Sequence, residues 1–77
     1  MTTKYWVIPD GDGTFYVTEG SEAGKRAAVG IPTEMAAVAT ARGFLHNKGG
    51  GQVVVKGEDG KIKYHKTVEQ ILIFHPL

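Results

Sequence analysis

Aromatic and β-branched residues crowd into Lys4-Tyr5-Trp6-Val7-Ile8-Pro9, a run closed by proline, and this pattern predicts a strand. Asp10-Gly11-Asp12-Gly13 follows. Two Asp-Gly pairs mark a tight turn, because glycine accepts positive φ and aspartate bonds to nearby backbone. Thr14–Thr18 is then the returning strand of a hairpin. Glu19–Gly24 reads as a loop. Lys25–Gly30 reads as a third, weaker strand, since its alanines give little β-preference.

The period changes after Ile31-Pro32. Thr33 is a candidate N-cap, and Glu34 suits the positive end of a helix dipole. From Met35 to Asn47, Val38, Ala41 and Leu45 fall on one stripe, flanked by Ala37 and Phe44, which predicts a helix with a narrow face of small residues. Gly43 inside it costs roughly 1 kcal/mol relative to alanine. Gly49-Gly50-Gly51 ends the helix, because one of them can take the left-handed position after the cap. Gln52–Lys56, with three successive valines, predicts a strand. Gly57-Glu58-Asp59-Gly60 is a second hairpin turn, and Lys61–Thr67 alternates basic and apolar side chains as a half-buried strand does. Val68–Leu77 is apolar through Ile71-Leu72-Ile73-Phe74 and is expected to pack on something, as a strand or a short helix.

This order predicts one α+β domain over residues 1–77. It has two layers: an antiparallel sheet of four to five strands, with one helix packed on one face. One helix covers only one face. Pairing the apolar sets puts Val7, Phe15, Val17 and Ile62 under it. The open face then carries Trp6, Ile8 and Tyr16 beside Lys61, Lys63 and His65, because unpaired ammonium groups are not buried. A one-residue slip in register would exchange the faces.

Composition narrows the chemistry. The 77 residues, 42% of them hydrophobic and 22% charged, sit near the globular average. There are no cysteines, which excludes disulfides, cysteine-zinc sites and thiol nucleophiles. The formal net charge is +1, so bulk charge demands no nucleic acid or membrane partner. No apolar run approaches the ~20 residues that span a bilayer, and no signal-like leader is visible, so a cytoplasmic location is expected.

Candidate sites are few. His46, His65 and His75 show no metal-ligand spacing. Asp10–Gly13 lacks the later ligands of a calcium loop. Gly49–Gly51 precedes a strand, the reverse of a phosphate cradle. Ser21, the sole serine, has no histidine near it in sequence. No catalytic residue and no cofactor is expected. The basic residues favour the second half: residues 35–77 carry Arg42, Lys48, Lys56, Lys61, Lys63 and Lys66 against Glu58, Asp59 and Glu69.

Several segments together carry a resemblance. Lys4–Pro9, Phe15-Tyr16-Val17, Thr33 with Ala37-Val38 and Ala41-Arg42, Gly50–Val55 and Glu58-Asp59-Gly60-Lys61-Ile62 occur in an order that resembles the domain-of-unknown-function 2188 family of short bacterial and phage proteins. The resemblance spans about residues 4–67. Phe15 stands where that family more often has tryptophan, and Gly43 and Phe44 depart from its more polar helix. Residues 68–77 look like an extension. The resemblance implies a compact strand–helix–strand module with no established activity, and it transfers no catalytic residue.

The expected function is that of a small non-catalytic interaction module, self-associating as a homodimer or docking on another protein. Trp6, Ile8 and Tyr16 on the open face, with Ile71, Ile73 and Phe74 in the C-terminal segment, form the expected interface. One alternative is a nucleic-acid-binding accessory protein that uses Lys56, Lys61, Lys63 and Lys66 beside the aromatic face. A third is a phage-encoded inhibitor or virion accessory protein.

Overall fold

The computed structural model of the chain describes residues 3–69. Five strands and one helix follow in the order β1 (Lys4–Pro9), β2 (Phe15–Glu19), β3 (Arg26–Ile31), α1 (Glu34–Asn47), β4 (Gly50–Lys56) and β5 (Ile62–Glu69). The strands form one sheet in the spatial order β3-β2-β1-β4-β5. Helix α1 packs on one face, so the two-layer α+β architecture is present.

The sheet is mixed rather than wholly antiparallel. β1 and β4 run parallel, with Trp6 opposite Val54 and Val7 opposite Val55. The cause lies in the connection. β1, β2 and β3 form a meander, so β3 runs the same way as β1. Helix α1 carries the chain back, and β4 must then restart in the direction of β1. Placing β4 beside β1 puts the most apolar strands, with Val53, Val54 and Val55 fully buried, at the centre.

The core lies between α1 and the three middle strands. Tyr5, Val7, Val17, Val53 and Val55 meet Ala37, Val38, Ala41 and Leu45, with Phe15 and Phe44 packed at the margin. The small helix residues let α1 approach the sheet closely. Thr33 caps α1 by accepting the Ala36 amide at 3.1 Å. At the other end the helix stops at Lys48, and Gly49 (φ 90°) takes the left-handed position that follows the cap. Gly51 has a different role. A Cβ there would collide with the Thr3 carbonyl and lie 2.7 Å from Leu45 Cδ2, so only glycine fits where β4 starts against Thr3 and the helix residue Leu45.

One feature corrects the expected faces. Val55 pairs with Tyr64 but Lys56 pairs with Ile62, leaving Lys63 as the extra residue of a bulge. The bulge reverses the alternation at the start of β5. Ile62 therefore shares the open face with Lys56 and stands 47% exposed, instead of lying under the helix. Lys63 turns to the helix side and meets Glu34 at 2.7 Å, instead of joining the open face.

Candidate interaction face

The face opposite α1 is built from alternate residues of all five strands. Trp6 and Ile8 project from β1, and Tyr16 and Thr18 pair with them across β2. Val54 and Lys56 come from β4, and Ile62 and His65 from β5.

Part of this face is already covered. The segment between β2 and β3 folds over it. Trp6 Nε1 donates to the Gly20 carbonyl at 3.4 Å, and Thr18 Oγ1 donates to the Ser21 carbonyl at 2.7 Å. Glu22 from the same segment meets Lys56 Nζ at 2.8 Å, and that ammonium lies 5.9 Å from the centre of the Trp6 ring. Lys56 is thus nearly buried, its charge compensated by a carboxylate and its stem laid along the apolar face. Ile8 is buried as well, at 8% exposure, which corrects the expectation that it lies open. Trp6 and Tyr16 are half-buried. The Arg26 guanidinium sits 4.0 Å over the Tyr16 ring.

The four lysines of the basic hairpin do not converge. Lys56 is held by Glu22 on the open face, and Lys63 is held by Glu34 on the helix side. That hydrogen bond to Glu34 raises the Lys63 pKa above its ordinary value. Lys61 stands in the β4–β5 turn, and Lys66 shares the helix-side register with Val53. Among the described residues, Lys61 and Lys66 have no ion pair. Glu22 and Glu34 are remote along the chain from their partners, so these pairs have no local signature in the sequence.

The other candidate groups are dispersed. His65 lies opposite Val54 on the open face, while His46 is exposed in the last turn of α1. His75, Ile71, Ile73 and Phe74 lie outside the described residues. Asp12 Oδ1 accepts from the Thr14 amide and hydroxyl, which lowers its pKa and closes the first hairpin turn. Among the described residues, no group of three or more histidine, cysteine, aspartate or glutamate side chains is placed to hold a metal ion. No helix there is long and apolar enough to cross a membrane.

Fold and surface together define a small α+β domain with one helix on a mixed five-stranded sheet and a partly covered aromatic face. The family described as "Uncharacterized protein conserved in bacteria (DUF2188)" matches residues 5–68, and the chain belongs to that family. No curated protein and no solved structure matches the chain.

Proposed function

We propose that this chain is a non-catalytic interaction module that associates with a second copy of itself through the sheet face opposite α1. The observation that carries this reading is Ile62, turned out by the bulge and 47% exposed on a face that also holds the half-buried rings of Trp6 and Tyr16. Aromatic residues in such a setting are typical anchors of protein interfaces. The face carries both signs of charge, with Arg26 and Lys56 beside Glu22, so it is suited to meet itself about a two-fold axis.

A nucleic-acid role has less support, since Lys56 and Lys63 already hold carboxylates. Size-exclusion chromatography with light scattering tests the proposal. The full chain should run as a dimer, and Ile62→Lys or Tyr16→Ala should yield a folded monomer. A full chain that is monomeric at high micromolar concentration, or a dimer indifferent to both substitutions, overturns it.

A further inference from the structure

A second surface lies on the helix side, away from the face described above. Helix α1 rests on the middle strands and leaves β5 uncovered, with every residue from Ile62 to Thr67 exposed. A trough therefore runs between α1 and β5. One stretch of about 280 Å³ is lined by Met35, Val38, Ala39, Arg42, Tyr64 and Lys66, with Glu34 at its end. A second stretch of about 550 Å³ continues past Arg42 to Gly43, His46 and Val68. Ala39 and Arg42 line both stretches, so the trough is continuous.

Three observations bear on what it holds. First, Met35 (82% exposed) and Tyr64 (40% exposed) both line it, which is a costly placement for apolar surface unless something covers them. Second, Arg42 from the helix and Lys66 from the strand line the same stretch, and neither has a carboxylate within ion-pair distance among the described residues. Of the carboxylates on the trough, Glu34 is held by Lys63, and Glu69 stands at the far end. Third, β5 is the last strand of the sheet, and its pairing with β4 is unbroken from Tyr64 to Glu69. The opposite edge strand, β3, has two register shifts against β2, which blunt it as a template.

We infer that the outer edge of β5 and the trough beside it accept an extended acidic polypeptide. It adds as a sixth strand, with main-chain hydrogen bonds to Tyr64–Glu69. Its apolar side chains cover Met35 and Tyr64, and its carboxylates meet Arg42 and Lys66. Gly43 helps by absence: a Cβ there would meet nothing within 4 Å, so the helix wall is open at that point. This site is separate from the self-association face, and either can fail without the other.

The test titrates the full chain with eight-residue peptides, the length of β5, in which every second residue is in turn leucine or glutamate and the residues between are threonine, so that one face carries both. Lysine-for-glutamate counterparts and a single-stranded oligonucleotide serve as competitors. Amide resonances of Tyr64–Glu69, Ala39 and Arg42 should move, and those of Trp6 and Tyr16 should not. Arg42→Glu with Lys66→Glu should weaken binding at least tenfold. Gly43→Leu, whose Cβ would meet nothing within 4 Å and whose side chain would narrow the trough, should also weaken it, and Ile62→Lys should leave it unchanged. Absence of binding, equal binding of the lysine peptides, preference for the oligonucleotide, or indifference to the Arg42 and Lys66 reversals each overturns the inference.

Discussion

Tyr5 shows how one side chain ties the layers together. Its ring is buried in the core and stacks on Phe44 with 5.4 Å between centroids. Its hydroxyl reaches past the core to donate to Glu19 at 2.6 Å, and Glu19 also meets Lys48, which caps α1, at 3.5 Å. Burial first, and then the bond to Glu19, push the Tyr5 pKa up from 10.0 to about 12. Between those values the unfolded chain holds fewer protons than the folded one, so stability should fall as pH rises from 10.0 to about 12. On the acid side, the Tyr5 hydrogen bond and then Lys48 hold Glu19 below its ordinary 4.5. That contribution is present above 4.5 and is lost as pH falls through the lowered value. Urea unfolding across pH should show both slopes. Tyr5→Phe should flatten the alkaline one and cost about 1 kcal/mol near neutral pH. The alternation along β1 sets Tyr5 on the same face as Val7, but Glu19 reads from the sequence as a loop residue. The link became visible only when β2 ran one residue further and paired Glu19 with Tyr5.

Among the elements, strands and helix were largely legible because their periods are local. The stripe of Val38, Ala41 and Leu45 is the buried stripe of α1, and the weak strand expected over Lys25–Gly30 exists as β3. What escaped was non-local. The parallel β1–β4 pair follows from the path of the helix over the sheet, and the bulge at Lys63 follows from pairing with β4. Neither leaves a mark within its own segment. Reversal of Ile62 and Lys63 is the direct consequence, and it moved an expected core residue to the surface.

Two glycines of opposite character allow an element-scale check. Gly43 is helical and its missing Cβ faces open space, so Gly43→Ala should raise stability by about 1 kcal/mol through helix propensity. Gly51 (φ 149°) is pressed between Thr3 and Leu45, so Gly51→Ala should lower stability by more than about 1 kcal/mol. Thermal and urea unfolding of the two variants measure both signs. Equal effects would contradict the packing described for the helix–sheet layer.

At the scale of the whole molecule, a single helix gives the sheet two unlike faces. On one side α1 seals the core and leaves the trough along β5. On the other, the β2–β3 segment bonds to Trp6, Thr18 and Lys56, Ile8 is buried, and Ile62 and His65 stand exposed. The expected aromatic face was legible as a face, since Trp6 and Tyr16 do share it. How much of it stays open was not, because coverage depends on Glu22 reaching Lys56 across the sheet.

The central claim is that this face is where the chain meets a second copy, and a dilution series followed by amide resonances tests it most directly. On dilution, shifts should change at Trp6, Tyr16, Arg26, Ile62 and His65, while residues of the α1–β5 trough stay fixed. Spectra that do not change with concentration, or changes confined to the helix side, would contradict it.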